Sequence, residues 1–289
     1  MDVNMVIFDL DGTLIDTIGD LSAAVEHALS RGGFPGHSVD EYRNMVGHGI
    51  RNLVTMALPE GSSEEVIDTT LGRFVEYYTA HIDVLSRPYP GIHELLRELS
   101  SEGVRLAVAS NKFQAGTEAL IRRFFSDIPF VKILGNAPGL PLKPDPEVIR
   151  LAIAAGVDSV GLEAARPDPA SLRFAPYPGK WSSESTLPPQ TAGVATGQRP
   201  YSAAAVPERS RRAREWMRPR SGGEPTKELV SAVMVGDSGT DIRTARNAGI
   251  PAIAVSWGFR PRADLEIADA IADTPGQLKD FIRIFTQKN

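Results

Sequence analysis

Apolar residues along this chain are arranged in two different ways, and the arrangement changes at a few sharp points. Residues 6–8, 104–109, 131–134, 232–235 and 251–255 are short, nearly unbroken apolar runs bounded by turn-forming or polar residues. Runs of that length predict strands buried on both faces. Between them the spacing becomes helical. Ile92, Leu95, Leu96 and Leu99 recur at one period, as do Leu120, Ile121, Phe124 and Phe125, then Val148, Ile149, Ala152 and Ala155. Pro146 suits the first turn of the third of these helices, and a helix over 242–248 is stopped by Gly249. Apolar strands alternating with helices predict a doubly wound parallel α/β sheet, a Rossmann-like core.

Residues 17–86 carry no strand pattern. Leu21, Ala24, Val25 and Ala28 keep helical spacing up to Gly32-Gly33. Asp40 is expected to cap a second helix carrying Tyr42, Met45 and Val46, which Gly47-His48-Gly49 interrupts before a helix over 50–58. Ser62 or Ser63 precedes a fourth, with Val66, Ile67, Leu71, Phe74, Val75 and Tyr78 on its apolar face. An all-helical block bracketed by strands predicts a small cap, 17–86, inserted after the first strand of a core formed by 1–16 and 87–289.

Residues 162–225 follow neither pattern. Ten of the chain's 22 prolines lie there, and Ile, Leu, Val and Phe together number only 6. So few apolar groups cannot offset the entropy of ordering the segment, which predicts an irregular or disordered insertion. Entering before the strand 232–235, it is expected at the side of the sheet opposite the strands' carboxyl ends. The Arg209-Ser210-Arg211-Arg212-Ala213-Arg214 cluster reads as a solvated part of it.

Composition narrows the function. A net charge of −5 argues against non-specific binding of nucleic acid or anionic membrane. No cysteine is present, which excludes thiolate metal sites, disulfides and cysteine nucleophiles. No apolar run approaches the roughly 18 residues that would span a bilayer, and the first residues are not those of a signal sequence. A cytoplasmic monomer or homodimer is expected.

Four polar clusters lie directly after apolar strands or in the loops that follow: Asp9-Leu10-Asp11-Gly12-Thr13, Ser110-Asn111, Lys143, and Gly236-Asp237 with Asp241. In a doubly wound parallel sheet such positions converge on one crevice. Asp9 and Asp11, one residue apart, leave a strand end on the same side, and paired acids there call for a positive partner. Several carboxylates, one ammonium and a few hydroxyl or amide donors suit a divalent cation with a phosphate. One carboxylate would attack phosphorus while its neighbour moves the proton.

Asp9-x-Asp11-Gly-Thr13-Leu-x-Asp16-Thr17, Ser110-Asn111-Lys112, Lys143-Pro-Asp-Pro and Gly236-Asp237-Ser-x-x-Asp241, in this order, resemble the four motifs of the haloacid dehalogenase superfamily phosphatases. With the helical cap, the likeness covers the chain apart from the insertion. It implies that Asp9 is the nucleophile, and that Asp11 is the general acid and then the base that activates water. By the same resemblance Thr13 and Ser110, with Asn111, bind phosphate, and Lys143 stabilises a phosphoaspartate. Mg²⁺ would be held by Asp9, the Asp11 carbonyl and Asp237, with Asp241 one layer further out.

Val46-Gly47-His48-Gly49-Ile50-Arg51-Asn52-Leu53 is similar to the cap loop of the phosphoglycolate phosphatase group, which implies a small phosphorylated acid, 2-phosphoglycolate, as substrate. Glycines such as Gly47 before a helix let backbone N–H groups face an anion, and Arg51 would grip a carboxylate with two bonds. His48 reads as a surface or capping residue. The same scaffold also suits other sugar phosphates or a pyrophosphate. A catalytically impaired binding scaffold is the reading from a different class, and the presence of every motif residue speaks against it.

Overall fold

Val6, Ile7 and Phe8 have no solvent-accessible surface, because the strand that carries them lies in the middle of a sheet with helices on both sides. The computed structural model describes residues 3–158 and 230–286. The insertion expected over 162–225, with its Arg cluster and its place behind the sheet, lies outside the described residues.

The sheet consists of β1 (Val3–Phe8), β4 (Arg105–Phe113), β5 (Phe130–Asn136), β6 (Val230–Gly236), β7 (Ala252–Val255) and β8 (Ala270–Ala272), in the order β5-β4-β1-β6-β7-β8 and all parallel. The chain starts at the centre, builds outward through β4 and β5, then returns to build the other half from β6. That reversal leaves a crevice beyond the carboxyl ends of β1 and β6. Val6 stands opposite Leu106 and Val233, and Phe8 opposite Val108 and Val235.

Two-sided burial explains why these strands read as continuous apolar runs. Val6 and Phe8 join an apolar cluster with α5 (Ile92–Ser101), α6 (Gln114–Phe124) and α9 (Pro275–Thr286), through Leu95, Leu96, Leu120, Leu278 and Ile282. Met5 and Ile7 point the other way, into a cluster with α7 (Glu147–Asp158) and α8 (Gly239–Ala248) through Val148, Ile149, Ala152, Ile242 and Ala245. The expected doubly wound α/β architecture is the one present.

Between the first strand and α5 the chain forms α1 (Ile18–Gly32), α2 (Val39–Met45), α3 (Ile50–Ala57) and α4 (Glu64–Ala80) around an apolar cluster of their own. Gly33 ends α1 in the left-handed conformation at φ 73°, and its N–H bonds back into the last turn. The cap of α2 differs from expectation. Ser38, not Asp40, is the capping residue: its hydroxyl accepts from the Glu41 N–H while the Glu41 carboxylate takes the Ser38 N–H at 2.7 Å. Asp40 is the second residue of the helix and pairs with Arg43. Ser63 caps α4.

The chain enters and leaves this block through β2 (Ile15–Asp16) and β3 (Arg87–Pro88), which pair antiparallel. Asp20 is buried at the junction and accepts the Leu85 N–H, the Ser86 N–H and the Ser86 hydroxyl at 2.7–2.8 Å. Phe113 at the end of β4, and in part Phe259 after β7, pack into the helical cluster and tie it to the sheet.

Candidate active site

A cavity opens at the carboxyl ends of β1, β4 and β6, where the helical block faces the sheet. Asp9, Asp11, Ser110, Lys112, Lys143, Asp237 and Asp241 line it from the sheet side. Leu21, Gly47, Gly49, Ile50 and Leu53 line it from the helical block, and Phe259 and Arg260 from the loop after β7.

Lys143 is the hub. Its side chain is 3% exposed, and its Nζ lies 2.7 Å from Asp9 Oδ1 and 2.7 Å from Asp241 Oδ1 while donating to the Ala109 carbonyl at 2.9 Å. Burial alone would lower the pKa of this ammonium, but Asp241 and Asp9 outweigh it and hold the lysine charged. The Asp9 carboxyl is pushed up to about 7, first by burial and then by Asp241, against the pull of Lys143. Burial, then Asp241 and Asp9, also raise Asp237 well above the ordinary carboxylate range, and the Phe259 N–H opposes them with a 2.6 Å bond to Oδ2.

Asp9, Asp237 and Asp241 are all buried, and each offers a carboxylate oxygen within 4.8 Å of the others. Lys143 supplies one positive charge against these three acids. An all-oxygen donor set with surplus negative charge fits a hard divalent cation.

The Asp11 carboxylate is directed elsewhere. Its Oδ1 accepts from the Thr17 hydroxyl at 2.7 Å and stands 3.1 Å from Lys112 Nζ. Asp11 could therefore join the cation site only through its main-chain carbonyl. Lys112 also donates to the Tyr78 hydroxyl of α4 at 2.6 Å, so the helical block touches the residue that holds Asp11.

Backbone geometry keeps these groups close. Gly12 has φ +83°, and a Cβ there would lie 2.3 Å from Asp237 Oδ2, so neither the turn after Asp11 nor the space beside Asp237 admits another residue. Asp241 is fixed from the helix side as well, because Ser238 caps α8 and donates its hydroxyl to Asp241 Oδ2 at 2.6 Å.

Other expected site residues fare unevenly. Ser110 lines the cavity, with its Oγ accepting the Lys112 N–H at 3.2 Å. Asn111 lines it too, but its amide is spent on the main chain: it donates to the Gly47 and Lys143 carbonyls and accepts the Lys143 N–H at 2.8 Å. It is a strut between the sheet and the helical block rather than a free donor for substrate. Gly47 lines the cavity with φ 113°. Thr13 is buried without lining it, and its hydroxyl has no partner among the described residues.

Arg51 departs furthest from expectation. It lies outside the cavity lining, turned along the helical surface to pair with Glu64 and Asp68 of α4. Lys112, Tyr78, Phe259 and Arg260 are the site residues to which the sequence pattern assigns no role. For the last two a signal exists: residues 256–260 follow an apolar strand directly, as the other polar clusters do.

Buried acids grouped round a lysine, in a donor set that fits a divalent cation, at the carboxyl ends of a doubly wound sheet, are the class of site that suits hydrolysis at a phosphoryl group. A model of haloacid dehalogenase-like hydrolases matches residues 6–157, and one described as HAD-hydrolase-like matches 210–280. The chain belongs to the haloacid dehalogenase-like hydrolase family and is a phosphatase of it. It is 30% identical to a phosphoglycolate phosphatase of Mesorhizobium japonicum over 89% of this chain and 85% of the relative. With a phosphoglycolate phosphatase of Agrobacterium fabrum it shares 28% identity over 96% and 94%. A crystal structure from Lactobacillus delbrueckii subsp. bulgaricus, provisionally named a phosphoglycolate phosphatase, superposes with a TM-score of 0.67 at 25% identity, covering 98% of this chain and 99% of the other. Among the described residues no helix is long and apolar enough to cross a membrane.

Proposed function

We propose that this phosphatase hydrolyses 2-phosphoglycolate to glycolate and phosphate in the cytoplasm, with Mg²⁺, through an aspartyl-phosphate on Asp9. The observation that carries the chemistry is the buried contact of Lys143 with both Asp9 and Asp241 beside Asp237. The substrate is carried by the names of the Mesorhizobium and Agrobacterium relatives. When bound, Mg²⁺ would be held by Asp9, Asp237 and the Asp11 carbonyl, with Asp241 beside them, and would offset charge on the phosphoryl oxygens.

A phosphate ester entering the cavity meets Asp9 at the end of β1. Lys143 keeps the Asp9 carboxylate oriented and, once the oxygen–phosphorus bond forms, faces the charge on the transferred group. The Ser110 hydroxyl is available to a phosphoryl oxygen. Asp11 gives its proton to the ester oxygen as the substrate's own bond from that oxygen to phosphorus breaks and the alcohol leaves. It then takes a proton from the water that attacks phosphorus and releases Asp9. Thr17 and Lys112 fix the Asp11 carboxylate between these two transfers.

Phosphate release from 2-phosphoglycolate with Mg²⁺ tests the reading. Asp9→Asn is expected to lower turnover by at least about 1,000-fold while the near-ultraviolet circular dichroism stays native. Turnover retained in that variant would sink the nucleophile assignment.

A further inference from the structure

Three cationic side chains line the cavity among the described residues: Lys112, Lys143 and Arg260. Two are committed to carboxylates, Lys112 to Asp11 and Lys143 to Asp9 and Asp241. Arg260 makes no ion pair with a carboxylate among the described residues, although its charge reaches Asp237. Its guanidinium donates to two main-chain carbonyls of the helical block, Nη1 to Arg43 and Nη2 to Val46.

Those carbonyls satisfy hydrogen bonds but cancel no charge. A guanidinium carries five N–H donors, so one bond at each Nη leaves others for a ligand. The group is partly buried, where a charge held by no ion pair is costly and an incoming anion gains most. Because the carbonyls already fix the fork in place, an anion arriving at Arg260 would meet a pre-ordered donor.

The helical wall of the cavity is otherwise apolar or glycine: Leu21, Val46, Gly47, Gly49, Ile50 and Leu53. Arg51 is already paired with two acids outside the cavity.

We propose that Arg260 is the specificity-determining residue of this site, and that it receives a carboxylate on the alcohol portion of the substrate while the phosphate is held at Asp9. This rests on the proposed hydrolysis of a small carboxylated phosphate ester. It narrows the substrate class to short monoesters whose two anionic ends bridge Asp9's end of the cavity and the loop after β7. Its location on a core loop also means that the sheet side, together with the helical block it grips, reads the substrate.

The experiment compares kcat/KM for 2-phosphoglycolate with that for ethyl phosphate, in which a methyl group replaces the carboxylate, in the full chain with Mg²⁺. The unsubstituted enzyme is expected to prefer the carboxylated ester. Arg260→Met should lower the ratio of the two kcat/KM values by roughly 10- to 100-fold, mainly through KM for 2-phosphoglycolate. Arg260→Lys keeps a charge but not the fork, and should lower the ratio severalfold; it carries the test if the Met variant does not fold. Arg51→Met should leave the ratio within about twofold.

Because the readout is a ratio within one variant, a general loss of folded enzyme leaves it unchanged. If the unsubstituted enzyme prefers the carboxylated ester and the Arg260 variants keep that preference in full, the Arg260 assignment is wrong while the substrate reading stands. If the unsubstituted enzyme shows no preference, the substrate reading fails and takes this assignment with it.

Discussion

Lys112 enters a space already occupied by the Asp11 carboxylate and the Tyr78 hydroxyl, with only 1% of its own side chain exposed. Removing one member of so buried a pair leaves the other charged and unmatched, which costs far more than losing an exposed pair. Lys112→Met is therefore expected to destabilise the fold by about 3 kcal/mol in urea unfolding. Arg51→Met, whose acidic partners are 80% and 63% exposed on their side chains, should change stability by less than about 1 kcal/mol. Equal effects would mean that burial does not govern these pairs. The contrast also marks what a sequence can convey at this scale. Asp9, Asp11, Ser110, Lys143 and Asp237 follow apolar strands or the loops after them, and parallel topology brings such positions together whatever their rotamers. Lys112 stands next to Asn111 in the chain, yet one reaches Asp11 and Tyr78 while the other braces Gly47. Direction of that kind depends on the irregular pairing of β4 between Ala109 and Phe113, which no spacing rule reports. Arg51 illustrates the converse: its position suggests a ligand, but two acids on α4 claim it.

Elements whose ends are set by local chemistry were readable, and those whose ends are set by neighbours were less so. The αL glycine after α1 and Ser63 before α4 are local signals, and both agree with the pattern. Helix α8 begins at Gly239, earlier than the apolar period suggests, because Ser238 and Asp241 close a reciprocal cap around its first turn. β8 has only three residues, too few to show alternation. The α8 cap gives a prediction that joins stability to the site. Ser238→Ala removes a hydroxyl that both accepts the Asp241 N–H and donates to its Oδ2. A loss of about 1 kcal/mol is expected in equilibrium unfolding. Asp241 keeps its 2.7 Å contact with Lys143, so the variant should still stabilise on adding Mg²⁺. A variant that is as stable as the parent would show that Lys143 alone holds Asp241 in place.

At the scale of the whole molecule, the acid cluster works against the fold wherever its charge is left unmatched. Asp9 comes from the end of β1, Asp237 from the end of β6 and Asp241 from the first turn of α8, so forming the sheet forces the three together. The Asp9 carboxyl has its pKa raised from 3.8 to about 7, and Asp237 is shifted in the same direction. Between those values the folded chain holds protons that the unfolded chain has released. By linkage, this contribution to stability is complete below about pH 3.8 and is lost as pH rises through about 7. A divalent cation bound at Asp9, Asp237 and Asp241 would supply the missing positive charge, and it would compete with those protons for the same oxygens. Mg²⁺ at 100 times its dissociation constant would stabilise the folded chain by about 2.7 kcal/mol. The rise in Tm on adding millimolar Mg²⁺ to chelator-treated protein is therefore expected to be larger at pH 8 than at pH 5.5, with protons released on binding near pH 6.5. An equal rise at both pH values, without proton release, would place the cation somewhere other than these acids.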